Sequence, residues 1–327
     1  MGETIRAMIC RAWGAPEDLR LEETVLPQPA ANQIRMKVLG SCVNFADTIM
    51  IKGQYQSRPD FPFAPGLEAC GEVVECGAEV TRFKPGDRVM AFTEHGGFAE
   101  QALAREQDSF AVPAEMSDAT AASFLIGYVS SHVAIRWQAK LEAGESMLVL
   151  GASGGVGLTA VEIGKALGAK VIAGASSPEK LDIASRRGAD ELIDYKADGL
   201  KARVAEITGG EGVDVCYDPV GGDLFDEALS SLAWGGRILL IGFVGGIPQI
   251  PANRLLVKHR SAMGSSLRYF RHLRPNLLRE SVGELLAWWR NGKLEPLVTE
   301  EFPLEQVPAA MNELLQRRAV GRIVITM

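Results

Sequence analysis

The stretch Ser146-Met-Leu-Val-Leu-Gly-Ala-Ser-Gly-Gly-Val-Gly-Leu-Thr-Ala160 decides the fold. Met147 to Gly151 reads as a short buried strand. The small residues Ala152-Ser153-Gly154-Gly155-Val156-Gly157 follow it, and Leu158, Val161, Ile163, Ala166 and Leu167 then recur at helical spacing. Strand, tight glycine turn and helix form the context in which glycines make a dinucleotide site. The turn lets the backbone approach a pyrophosphate, and the helix N-terminus offers free N–H groups. Taken alone, the glycines also fit a ligand-free turn, and the usual first glycine of the pattern is Ala152. No Gly-Lys-Ser/Thr follows, which excludes a Walker A loop.

Downstream the chain alternates strand and helix. Strands are predicted at 170–174, 191–194, 213–217 and 237–242, and helices at 200–208 and 224–232. Ser177-Pro178-Glu179 reads as the start of a helix that stops at Gly188. Such alternation calls for a parallel sheet covered on both faces, an α/β doubly wound Rossmann arrangement. Its ligands bind beyond the C-terminal strand ends. Upstream, residues 1–124 are mainly β, with dense turn signals such as Pro85-Gly-Asp87 and Gly96-Gly97, as in a small barrel or sandwich. Residues 119–140 have helical pattern. The expected division is therefore 1–124, a nucleotide-binding domain at 125–264, and a tail at 265–327 that completes the first domain.

NAD sites place an acid about 20 residues beyond the glycines, on the ribose hydroxyls. Here the second strand runs into Ala173-Gly-Ala-Ser-Ser177, with no acid. Ser176, Lys180 one helical turn on, and Tyr195 after the third strand can surround a 2′-phosphate instead. This points to NADPH. Lys180 can also be an ordinary solvated lysine.

The 327 residues are 47% hydrophobic and 23% charged, which is the balance of a soluble two-domain protein. The net charge of −7 argues against nucleic acid or anionic membranes as partners. Five scattered cysteines form no C-x-x-C pair, so neither a disulfide framework nor a zinc cluster is signalled. No signal peptide or membrane span is read, and a cytoplasmic location is expected.

Together these residues resemble the zinc-free quinone oxidoreductase branch of the medium-chain dehydrogenase/reductase superfamily. The match runs through Asn44-Phe-Ala-Asp47, Gly53-Gln-Tyr55, Pro65-Gly-Leu-Glu68, Gly71-Glu-Val-Val74, Phe83-Lys-Pro-Gly-Asp-Arg-Val89, Tyr128-Val-Ser-Ser-His132, the glycine turn, and Gly242-Phe-Val-Gly245. The resemblance implies a GroES-like β-barrel domain, split in sequence, around a Rossmann domain. Zinc enzymes of the superfamily carry Gly-His-Glu where this chain has Gly66-Leu-Glu68. They also have a catalytic cysteine at the position of Asn44. No metal is therefore expected, and Glu68 is read as structural.

The implied reaction is hydride transfer from NADPH to a quinone or another conjugated carbonyl. The implied catalytic residues are Asn44 and Tyr55, with Asp47 fixing the loop. Ser130, Phe243 and Gly245 are placed at the nicotinamide, where Phe243 is read either as covering the ring or as a core residue. Two alternatives stay open. One is an enone or enoyl-CoA reductase, whose CoA phosphates would need the basic set Lys258, Arg260, Arg268, Arg271 and Arg274. The other is a non-catalytic NADPH-binding protein. A homodimer is expected, through an edge strand near Ser261–Ser266.

Overall fold

The computed structural model describes residues 3–327. Two compact units make it up. One comprises the chain up to Ile126 together with Pro296–Met327, and the other is Gly127–Glu295.

In the first unit, β1 (Glu3–Ile9) and β2 (Arg20–Leu26) form an antiparallel pair. β3 (Gln33–Cys42) follows, then α1 (Phe45–Met50), β4 (Glu68–Cys76), β5 (Arg88–Phe92), β6 (Gln101–Arg105), β7 (Ser109–Ala111) and α2 (Asp118–Phe124). Strand β3 pairs with β4 and β6 and shifts register at Arg35/Met36 and Val38/Gly40. Such bulges bend a strand and let it serve several neighbours. Alternation along β3 and β4 puts Ile34, Met36, Val38, Ala69 and Val73 into one buried cluster.

After α2 the helical winding continues through a π-wound stretch (Leu125–Val129), one α-turn, α3 (Ser130–His132), and a second π stretch (Val133–Gln138). The second unit then runs β8 (Ser146–Leu150), α4 (Gly155–Ala166), β9 (Lys170–Ala175), α5 (Pro178–Arg186), β10 (Glu191–Asp194), α6 (Leu200–Ile207), β11 (Val213–Asp218), α7 (Leu224–Ser230), β12 (Leu232–Leu240), α8 (Ala252–Val257), β13 (Ser261–Gly264), α9 (Leu267–Leu273) and α10 (Pro275–Arg290). Six parallel strands lie in the order β10-β9-β8-β11-β12-β13. Met147 to Leu150 are fully buried, as a central parallel strand covered on both faces requires. The order reverses between β8 and β11, and the crevice at their C-terminal ends is where such sheets take ligands.

The chain rejoins the first unit at Pro296, not at residue 265. The stretch 265–295 stays with the nucleotide unit because α10 packs there. Leu278, Val282 and Leu285 are buried along one face. Trp137 Nε1 donates to Ser281 Oγ (2.8 Å), and His132 Nε2 lies 2.9 Å from Glu284 Oε2. The spacing of these apolar residues marks a helix with one packed face but does not say what it packs against. The first unit then closes with β14 (Val298–Pro303), α11 (Val307–Leu315) and β15 (Arg322–Thr326), which adds to β3. Among the described residues no helix is long and apolar enough to cross a membrane.

Candidate active site

The glycine turn sits at the C-terminal end of β8. Gly154 N–H donates to Gly151 O (2.9 Å), and Ala152 N–H donates to Gly174 O of β9 (3.1 Å). Ala152 is fully buried and Ser153 nearly so. A Cβ on Gly157 would lie 2.1 Å from Gly151 O, so no side chain fits there and helix α4 seats directly on the turn. The N-cap is Gly154, so no side chain caps the first-turn N–H groups, those of Gly155, Val156 and Gly157 included. Those donors, with the positive end of the helix dipole, suit a pyrophosphate.

One strand over, β9 ends at Ala175 and pairs in register with Asp194 of β10. Tyr195 N–H donates to Ala175 O (3.2 Å), which brings Tyr195 beside Ser176. Ser176, Lys180 in the first turn of α5, and Tyr195 are all half-buried at these adjacent strand ends. No carboxylate occupies positions 174–177. The nearby Glu179 is exposed, and the Ser177 hydroxyl holds its carboxyl below the ordinary range. These residues fit a dinucleotide bearing a 2′-phosphate.

The loops after β11 and β12 close the far side. Asp218, buried at the end of β11, accepts from Val220 N (2.8 Å) and Gly221 N (2.9 Å). Gly245 N donates to Val220 O (2.7 Å), and Gly222 N donates to Gly246 O (2.8 Å). A Cβ on Gly221, where φ is +66°, would fall 2.5 Å from Gly246 O, so this approach also needs glycine. Phe243 is 41% exposed, which removes the core reading of that ring. Ser130 is half-buried in α3. Sequence reasoning passed over Asp218-Pro-Val-Gly-Gly222, although an acid and paired glycines directly after a strand were a legible turn signal.

In the first unit a second constellation is wholly buried. Asn44 precedes α1. Its Nδ2 donates to Cys42 O (3.2 Å) and Glu68 Oε1 (3.0 Å), and its Oδ1 accepts from Arg322 Nη2 (2.9 Å). Arg322 Nη2 also reaches Glu68 Oε1 (2.6 Å), and Ile126 N–H donates to Glu68 Oε2 (2.8 Å). Both amide hydrogens of Asn44 are thus taken, and the side chain is only 5% exposed. This bonding ties Asn44 to Cys42, Glu68 and Arg322 and suits a residue that holds the loop ahead of α1. Asp47 accepts from Asn44 N (2.8 Å) and Gly66 N (3.1 Å), which fixes the loop as expected. Burial pushes its carboxyl up to about 7. Burial also pushes Glu68 upward, while Arg322 beside it pulls the other way. The Arg322 signal lay 254 residues beyond Glu68 and was invisible to local reading. Tyr55 is half-buried and packs against the cluster of Met50, Ile51 and Phe63. Trp13 and Phe61, 4.4 Å apart between ring centres, stand about 40% exposed in the same unit.

Two members of the basic set suggested for CoA phosphates are engaged within the fold. Arg260 donates to the carbonyls of Ser230 (3.1 Å), Ala233 (3.4 Å) and Leu232, tying the end of α7 to β12, and Arg271 is buried.

Comparison with known proteins agrees with both units. Residues 30–138 match the alcohol dehydrogenase GroES-like domain, and residues 155–283 match the zinc-binding dehydrogenase family. The chain is 40% identical to a quinone oxidoreductase-like protein 2 homolog of Nematostella vectensis, covering 99% of this chain and 89% of that protein. It is 36% identical to quinone oxidoreductase-like protein 2 of Bos taurus, covering 100% and 93%. The Escherichia coli quinone oxidoreductase, solved in complex with NADPH, superposes with a TM-score of 0.93 at 28% identity, covering 98% of this chain and 100% of that one. With a GroES-like and a dehydrogenase family model both matched, and relatives aligned over 99–100% of its length, the chain belongs to the quinone oxidoreductase family of the medium-chain dehydrogenase/reductase superfamily.

Proposed function

We propose that this protein is an NADPH-dependent oxidoreductase that passes hydride to a quinone or a similar conjugated carbonyl without a metal. The observation that carries the reading is the end of β9. Ser176, Lys180 and Tyr195 gather there with no carboxylate at the strand end, beside a turn on which no side chain fits at Gly157. The NADPH complex of the Escherichia coli relative supports the same cofactor. When bound, NADPH supplies the hydride, and this chain binds, orients and desolvates. The N–H groups of Gly155, Val156 and Gly157 hold the pyrophosphate, with Ala152, Ser153 and Gly154 shaping the turn. Ser176, Lys180 and Tyr195 hold the 2′-phosphate. Ser130, Phe243 and Gly245 border the nicotinamide. The Tyr55 phenol offers a hydrogen bond to charge developing on the acceptor oxygen, while Asn44, Asp47 and Glu68 fix the loop that carries it.

A metal-free reaction is supported by Leu67, which has no ligand atom, and by the Arg322 guanidinium beside the Glu68 carboxylate. Oxidation of NADPH followed at 340 nm with 9,10-phenanthrenequinone tests the proposal. Turnover should be undiminished by a chelator and weaker with NADH. Loss of activity with chelator and its return with zinc would end the metal-free reading. Turnover of crotonyl-CoA alone would replace the quinone.

A further inference from the structure

One stripe of α4 is bonded to both places where the chain crosses from one unit to the other. Val156, Thr159 and Glu162 are spaced i, i+3 and i+6 and so share a face. The first crossover enters the second unit at Gly127. Thr159 Oγ1 donates to Gly127 O (3.1 Å), and Tyr128 Oη donates to Glu162 Oε2 (2.6 Å). Ser131 Oγ donates to Val156 O (3.1 Å) and sits 2.8 Å from both Thr159 Oγ1 and Tyr217 Oη. The second crossover leaves the unit after Glu295. Its backbone N–H donates to Glu162 Oε1 (3.3 Å), and the Arg187 guanidinium bridges Glu162 (3.7 Å) and the Glu295 carboxylate. Glu162 is only 3% exposed, and burial pushes its carboxyl up to about 7 against the pull of Tyr128 and Arg187. A carboxyl this deep is tolerated because its oxygens are matched, and removing one partner leaves the others uncompensated. No other carboxylate of α4 is available to do this, since Glu162 is the helix's single acid.

We propose that Glu162 is a positioning residue that fastens both crossovers to the helix whose N-terminus takes the NADPH pyrophosphate, so that ordering of the glycine turn is felt at both crossovers. This rests on the cofactor reading above. The stripe begins at Val156, within the turn itself, so a ligand that stiffens the first turn of α4 stiffens the residues bonded to Thr159 and Glu162.

Amide hydrogen exchange on the full chain, with and without saturating NADPH, tests the proposal. In the wild type NADPH should slow exchange in segments 127–131 and 293–297 by about ten-fold or more. In Glu162→Gln the slowing at 293–297 should fall to about two-fold or less, while β8 keeps its protection. Arg187→Met should lose the same slowing, which covers the case in which the Glu162 variant does not fold. Tyr128→Phe, which keeps the carboxylate, should retain the slowing at 293–297. Wild-type slowing at both segments in Glu162→Gln and Arg187→Met, or none in wild-type holoenzyme, would overturn the proposal. Calorimetric titration of NADPH comes first: a wild type that does not bind it overturns the cofactor reading itself, before any exchange is measured.

Discussion

Lys180 is the residue to which the proposal gives the choice of cofactor. It lies in the first turn of α5, just after Ser176, where a 2′-phosphate held at the end of β9 would make a charge-assisted contact. Lys180→Ala should weaken NADPH binding about ten-fold or more and leave NADH within about two-fold. Equal losses in a fluorescence titration would place the 2′-phosphate elsewhere. Gly157 is the residue on which the proposed pyrophosphate site rests. Gly157→Val drives a Cβ to 2.1 Å from Gly151 O, so either the turn or the helix must move. Retained NADPH affinity in that variant would place the pyrophosphate elsewhere. Glu162 is a residue whose charge state sets stability. Its folded value, about 7, lies above the ordinary 4.5, so its contribution is full below 4.5 and is lost as pH rises through about 7. Glu162→Gln, which stays neutral, should gain roughly 3 kcal/mol on the wild type between those limits. Urea titrations at pH 5 and pH 8 giving the same difference would refute this. The glycines and Lys180 could be picked out from local spacing alone. The engagement of Asn44 could not, because its partners Glu68 and Arg322 come from distant strands.

At the scale of elements, β15 matters through Arg322. This side chain joins the last strand to Glu68 on β4 and to Asn44 ahead of α1. Arg322→Met leaves the Glu68 carboxylate buried without its cation, a loss of about 3–5 kcal/mol. Glu68→Gln added to it should recover part of that loss, since the stranded charge is then gone. A double variant no more stable than Arg322→Met in thermal melts would show that the charge is not what costs. The strands β8, β9 and the end of β12, and the helix α5, were legible because each carries its own signal: continuous apolar runs, a proline at the helix start and Gly188, at φ +95°, just past its end. The pair β1–β2 was not picked out strand by strand, because β2 is largely exposed and alternates weakly. The π-wound stretches at 125–129 and 133–138 read only as helix, since their apolar pattern does not distinguish the winding.

For the whole molecule, β13 is an edge of the six-stranded sheet, and Trp234, Leu256 and Val257 are all more than 70% exposed in the same unit. We propose that a second copy pairs along this edge and covers apolar surface there, which gives a closed two-fold dimer. Ala262→Lys should convert a dimer to a monomer in sedimentation; a wild type that is monomeric at high concentration would sink the idea. The sequence by itself determined two units, their classes and the location of the dinucleotide turn, because strand and helix periods and glycine conformations are properties of neighbouring residues. Only the tertiary structure decided that 265–295 belongs with the nucleotide unit, that Asn44 is already fully bonded, and that Glu162 holds both crossovers. Each of these depends on groups far apart in the chain whose pairing is enforced by burial, and burial is fixed only once the whole chain has folded.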